Sequence, residues 1–200
     1  MIRLLLARHA HARSNADDRI SSTPPGAGLS DLGVEEALAL RETLAYEPIG
    51  LGVSTRLARA QETLDLALGG RDVPRLVLPA LDEIGFGAFE GGALADYRTW
   101  AWSNEPDALC PGGGESRVAV AERLAGALDV LLARPEETVL AVSHALPIRY
   151  VLDAADGLFP AARIAHVPHA TPLELDAEAV ERAAETLRVW GTAPRFADAG

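Results

Sequence analysis

Ile2-Arg3-Leu4-Leu5-Leu6-Ala7-Arg8-His9-Ala10 is the stretch on which the fold of this chain turns. Residues 2–7 are almost wholly apolar and end at a charge, the pattern of a strand buried on both faces in a parallel sheet. His9 stands just past the end of that strand. Residues 139–142 form a second apolar run, and His144 stands just past it. Ligands bind outside the carboxyl ends of parallel strands. A chain with five histidines that sets two of them there, with arginines close by in sequence, points to a phosphate site with a histidine nucleophile.

Outward from that strand, apolar runs and helical periodicity alternate. Ser30 is a good N-cap for a helix over 31–46. Residues 51–53 read as a short strand, 57–68 as a helix stopped by Gly69-Gly70, and 76–78 as a strand ended by Pro79. A helix is expected over 94–103. Ser116 caps a long one to residue 133, before Pro135. Residues 138–142 read as a strand and 147–155 as a helix with Pro147 in its first turn. Short strands are expected at 163–167 and 172–175, then a helix over 177–190 with room for a closing strand. The tail 191–200 is polar, rich in small residues, and reads as loose. Strands alternating with helices imply an α/β fold, a three-layer α/β/α sandwich on a mostly parallel central sheet. No repeat, linker or composition break divides the chain, so 1–200 is read as one domain. Residues 16–28 read as a surface loop that rims the site.

Composition narrows the function. Two hundred residues suit one domain with a substantial core, and a hydrophobic fraction of 48% is ordinary for a globular chain. No apolar stretch approaches the ~18 residues of a membrane-spanning helix. The N-terminus enters a strand pattern without a signal peptide, and the single cysteine, Cys110, has no internal disulfide partner; both fit the cytoplasm. The net charge of −11, from 18 basic and 29 acidic residues, argues against nucleic acid or an anionic membrane as a partner. A local cluster of arginines can still hold a phosphate in an acidic protein, and all 18 basic residues are arginine. A small phosphorylated substrate is the expected partner, and a homodimer is compatible with the chain.

The motifs follow one another in a definite order. Arg8-His9-Ala10 precedes Asn15, then Leu29-Ser30-Asp31-Leu32-Gly33, then Ser54-Thr55-Arg56-Leu57-Ala58-Arg59-Ala60-Gln61-Glu62-Thr63. Leu81-Asp82-Glu83 comes next, with Gly87-Ala88-Phe89-Glu90-Gly91 behind it, then Pro111-Gly112-Gly113-Gly114-Glu115-Ser116 and Ser143-His144-Ala145. This ordered set, over about residues 2–152, resembles the histidine phosphatase superfamily, whose fold is phosphoglycerate-mutase-like. The resemblance implies a mixed sheet rather than a purely parallel one. It implies a phosphomonoesterase of the histidine acid phosphatase type, a metal-independent hydrolase without a cofactor. It would act through a phosphohistidine on a small phosphorylated metabolite.

Each residue has a role on that reading. His9 is the nucleophile. Its attacking nitrogen must be unprotonated, and the other must donate to a fixed acceptor such as a backbone carbonyl. Arg8 and Arg59 are phosphate clamps, because guanidinium forks match phosphate oxygens. Arg59 lies in the segment that matches the family's clamp; the competing reading pairs it with Glu62 on a solvated helix face. The resemblance makes His144 a further phosphate contact and Asn15 the phosphate-contacting asparagine, with Ser14 as helper. Glu83 is the general acid, among apolar Leu81, Ile84 and Phe86, with Asp82 and Glu90 as competitors. His11 is a rim residue counted with the substrate contacts. His166 and His169 are weighed as a metal pair and set aside for want of a carboxylate or cysteine in a ligand pattern. Arg56 stands open between widening the positive field and facing solvent. Tyr97, Trp100 and Trp102 stand open between substrate walls and core packing.

Two departures matter. Ala10 and Ala145 stand where the family usually has glycine after each catalytic histidine. Their methyls are expected to narrow the pocket, and would strain it if either position needed positive φ. The 16–28 loop lacks the longer tryptophan-containing segment of the cofactor-dependent mutases and offers only Arg19 as a cation, which favours a phosphatase. A phosphoglycerate mutase is the first alternative; it needs a more closed and more basic pocket than this loop suggests. The second is a weakly active or inactive phospho-ligand-binding module, against which the intact set of side chains argues.

Overall fold

The computed structural model describes residues 1–197. Its strands are β1 (Arg3–Arg8), β2 (Leu51–Ser54), β3 (Arg75–Val77), β4 (Thr138–Ser143) and β5 (Pro172–Asp176), in one sheet of order β3-β2-β4-β1-β5. The first four of that order run parallel, and β5 pairs antiparallel with β1. The sheet is therefore mixed and mostly parallel, as the resemblance implied.

Strand alternation divides the core. Leu4 and Leu6 of β1, with Val139 and Ala141 of β4, face one layer; Leu5, Ala7, Leu140 and Val142 face the other. The first layer is built by α5 (Arg117–Leu132), α6 (Ala145–Ala155) and α7 (Ala177–Thr192), which pack on one another. The second is built by α2 (Asp31–Thr43) and α3 (Ala58–Leu68). Both faces of the central strands are covered, which explains why their sequences are continuous apolar runs. Truncating a buried leucine such as Leu6 to alanine would cost about 2–5 kcal/mol.

The helix starts follow from caps. Ser30 accepts from Gly33 N–H at 3.2 Å and Ser116 from Ala119 N–H at 3.1 Å. Gly33 has a further reason to be glycine: a Cβ there would lie 1.9 Å from the His11 carbonyl oxygen, so α2 approaches the site segment as closely as backbone allows.

Three expectations are corrected. Residues 163–167 form no strand. The free edge of β1 is taken by β5, Pro168 brings no donor, and the Val167 carbonyl accepts from the Arg8 side chain instead. Among the described residues no strand follows residue 190; α7 runs on to Thr192. The tail is tied down as far as described, with Trp190 Nε1 donating to the Arg195 carbonyl at 2.7 Å and Ala197 bridging to Ala161. The rest of the expected loose tail, 198–200, lies outside the described residues. Two helices flank the cavity described below: α1 (Arg13–Ala16), which the sequence did not suggest, and α4 (Leu94–Trp102), which it did. Among the described residues no helix is long and apolar enough to cross a membrane.

Candidate active site

Sheet register brings the two histidines together. Arg8 lies opposite Ser143 in the parallel β1–β4 pair, so His9 and His144, each one residue further on, emerge side by side. Ser54 lies opposite Val142 in the β2–β4 pair, which sets Thr55 beside them. The ring centroids of His9 and His144 are 5.1 Å apart.

His9 is 3% exposed. Its Nδ1 lies 2.7 Å from the Ala10 carbonyl oxygen, which assigns the proton to Nδ1 and leaves the Nε2 lone pair free. The Nε–H of Arg59 donates to that lone pair at 3.1 Å. Burial, and next the Arg59 charge, hold His9 well below the ordinary imidazole range, so the ring is neutral. His144 is 0% exposed and sits beneath Arg59 rather than at the cavity wall. Its Nδ1 accepts from Arg59 Nη2 at 3.3 Å, and its Nε2 lies 2.9 Å from Thr55 Oγ1. Burial and the same guanidinium keep it neutral as well. The expected direct phosphate contact by His144 is thus screened by Arg59 in this arrangement.

Arg59, in the first turn of α3, is 4% exposed and bridges both imidazoles. Its Nη1 is buried without a partner among the described residues, and so is Arg8 Nε. Glu62 does not pair with Arg59; its carboxylate accepts from Leu29 N–H at 2.8 Å. Arg8 Nη1 donates to the Val167 carbonyl at 2.9 Å. His169, weighed as a metal ligand, instead sets Nδ1 2.6 Å from the His9 carbonyl oxygen, with its ring 5.4 Å from that of His9.

Glu83 faces the same cavity, and burial raises its carboxyl above the ordinary range, which favours the protonated form. Its Oε1 accepts from Ile84 N–H at 3.0 Å. The segment is held from behind: Arg123 donates to the Glu83 carbonyl at 3.2 Å, and Glu115 N–H to the Gly85 carbonyl at 2.8 Å. The glycines of Pro111-Gly112-Gly113-Gly114 allow this approach, since a Cβ on Gly114 would lie 2.5 Å from the Gly85 oxygen. Asp82 is engaged elsewhere, accepting from Arg56 N–H at 2.9 Å and Arg56 Nε at 2.7 Å. That settles Arg56 as the partner of Asp82. Glu90 accepts from Ser22, with Oγ at 2.6 Å.

A cavity of about 280 Å³ opens over these groups. Ser14 and Asn15 of α1 line it, though Asn15 Oδ1 also accepts from Ala12 N–H at 2.9 Å. Residues Asp18 to Ser21 of the expected loop rim it. His11 does not line it: Nδ1 lies 2.8 Å from Ser30 Oγ, and its backbone N–H donates to Glu36, so it is held at the start of α2. Neither Ala10 nor Ala145 takes positive φ. Ala145 lines the cavity, whereas Ala10 packs away from it with Leu29 and Ala37. Tyr97 and Trp102 line the wall, while Trp100 packs on Phe89 and Tyr97. The cavity is also more basic than the loop suggested. Arg98, Arg117 and Arg163 reach it from outside 16–28, and no motif had singled them out.

The profile of the histidine phosphatase superfamily (branch 1) matches residues 4–189. The chain is 31% identical over 154 residues to the adenosylcobalamin/alpha-ribazole phosphatase of Salmonella typhimurium, covering 72% of this chain and 74% of that one. It superposes on the alpha-ribazole phosphatase of Shigella flexneri with a TM-score of 0.70 at 28% identity, over 78% of this chain and 80% of that one. A mycobacterial glucosyl-3-phosphoglycerate phosphatase solved with VO3 gives a TM-score of 0.72 at 26% identity, over 88% and 91% of the two chains. These three relatives are named as phosphatases, and the family match spans the strands that carry both histidines: the chain belongs to the histidine phosphatase superfamily.

Proposed function

We propose that the chain is a metal-independent phosphomonoesterase that works through a phosphohistidine at His9 on a small phosphorylated metabolite. One observation carries the reading: a neutral His9, its Nδ1 fixed on the Ala10 carbonyl and its unprotonated Nε2 met by the Arg59 Nε–H, shares a cavity with a carboxyl that burial raises toward the protonated form. Nε2 attacks phosphorus while the ester oxygen departs with the Glu83 proton. The Glu83 carboxylate then takes a proton from water, whose oxygen attacks the phosphohistidine, releasing phosphate and restoring both groups. Arg8 and Arg59 stabilise the charge on the transferring oxygens. When Arg59 turns its donors from the imidazoles to phosphate, His144 gains access as a further contact. Asn15 and Ser14 complete the phosphate pocket.

The test is acid–base stability of the trapped intermediate. Labelled enzyme should carry phosphate that is lost in acid and kept in alkali, and His9→Ala should carry none. Residual turnover of that variant above about 10% would remove the nucleophile, since covalent catalysis does not survive loss of the attacking group. Phosphate release is expected from simple monoesters, with no 2-phosphoglycerate formed from 3-phosphoglycerate even with bisphosphoglycerate added. Faster interconversion than release would make the chain a mutase.

A further inference from the structure

The catalytic groups leave most of the cavity's charge unexplained. Arg8, Arg19, Arg59, Arg98, Arg117 and Arg163 line it, against the two carboxylates Asp18 and Glu83. The whole chain carries a net charge of −11, so the sign reverses within this cavity. Eight other arginines are ion-paired to carboxylates, and among the described residues none of these six is. With both carboxylates ionised the lining keeps an excess of four positive charges. A phosphomonoester dianion offsets about two.

Arg117 is the most telling of the six. It opens α5 at 8% exposure, where a cation runs against the helix dipole and a buried charge without a counterion is costly. Its Nε donates to Tyr97 Oη at 3.0 Å and its Nη1 to Tyr150 Oη at 3.1 Å. Burial pushes the Tyr97 hydroxyl up to about 12 and raises that of Tyr150, so neutral phenols orient the guanidinium without cancelling it. Nη2 has no partner among the described residues. Arg163, from the segment after α6, lies over the Trp102 ring at 4.5 Å, a stacking that leaves its in-plane donors available to an anion. Arg98 joins them from α4, next to Tyr97.

We propose that Arg98, Arg117 and Arg163 form a second anion subsite, and that the substrate is a phosphomonoester whose leaving alcohol itself carries an anionic group, a carboxylate or a second phosphate. Ile84, Phe86, Leu94 and Leu146 of the same cavity offer apolar wall to the carbon skeleton between the two charges. This rests on the phosphatase reading above and names the substrate class it left open.

Matched pairs test it. Phosphate release is measured from 3-phosphoglycerate against glycerol 3-phosphate, and from fructose 1,6-bisphosphate against fructose 6-phosphate. The more anionic member should be favoured about tenfold or more in kcat/KM in at least one pair, as expected when a charged hydrogen bond is added, and chiefly through KM. The pair that responds tells carboxylate from phosphate. Arg117→Gln and Arg163→Gln should each pull that ratio toward one. The ratio is internal to one preparation, so partial unfolding cancels, and Arg163 is exposed. Ratios near one in both pairs, or a preference that survives both substitutions, overturn the subsite while leaving the phosphatase reading intact. No phosphate release from any monoester overturns both.

Discussion

Replacing Glu83 with glutamine removes a transferable proton and little else. The amide oxygen can keep the bond from Ile84 N–H, and the backbone stays pinned by Arg123 on the carbonyls of Ala80 and Glu83. A general acid contributes about 10²–10⁴-fold, or about 2.7–5.4 kcal/mol of barrier at about 1.36 kcal/mol per tenfold. Turnover of an alkyl phosphate should fall by that factor. p-Nitrophenyl phosphate, whose phenolate leaves without a proton, should fall less than about tenfold. The pH profile carries the same information. His9 is held low by burial and by Arg59, and Glu83 is raised by burial, so both shifts work toward a shared pH range with the base free and the acid loaded. The wild-type rate on an alkyl ester should rise as His9 loses its proton and fall as pH passes through the raised Glu83 titration; Glu83→Gln should lose the falling limb. Stability supplies a check independent of chemistry. A carboxyl raised on folding contributes stability that is present at low pH and lost as pH rises through its folded value. The melting temperature of Glu83→Gln should therefore gain on wild type as pH increases. Initial rates on both esters across the pH range, with melts alongside, decide the matter. Equal losses on the two substrates would refute the acid assignment.

Arg59→Met should lower kcat/KM by about 10²–10³-fold, the usual cost of losing a donor to developing charge, and move the acid limb to higher pH because the cation depressing His9 is gone. An unmoved limb would show that burial alone sets that titration. Chelator should leave activity unchanged and vanadate should inhibit, since arginine and histidine donors can neutralise the transferring group. Loss in chelator, restored by a divalent ion, would bring His166 and His169 back as ligand candidates. Ser116→Ala should cost about 1 kcal/mol as α5 loses its N-cap, lowering the melting temperature by about 2–4 °C; an unchanged melt would mean the cap bond contributes nothing.

The fold was legible where one principle acted locally. The runs before His9 and His144 are buried on both faces, so their unbroken apolar character identified them, and Ser30 and Ser116 cap where caps were expected. Residues 163–167 misled because they have strand-like composition but no open sheet edge to join, a fact fixed by β5 and invisible in the segment itself. Site geometry was partly legible for the same reason. Arg8, His9, Arg59 and Glu83 lie at motif positions around one cavity, but that Arg59 lies between His144 and the cavity depends on two hydrogen bonds no sequence displays. His11 stayed off the cavity because Ser30 and Glu36 compete for it. Arg117 did carry a signal that went unused: a cation at the first position of a long helix, where acidic residues are favoured.

Arg59 commits two of its donors to the lone pairs of His9 and His144. The unpartnered Nη1 can meet an entering phosphate first, and a phosphate that draws the whole guanidinium would take those two donors over, exchanging uncharged nitrogen acceptors for anionic oxygen. The exchange is favourable, since ionic acceptors bind a guanidinium more strongly, but its net gain is smaller than the bonds to phosphate would suggest. The same balance acts at the end of the cycle. Inorganic phosphate left among six arginines would be slow to depart, yet here two imidazoles stand ready to reclaim the guanidinium. On the proposed phosphatase reading the histidine pair would act as a built-in eluent, displacing product from a cavity basic enough to retain it.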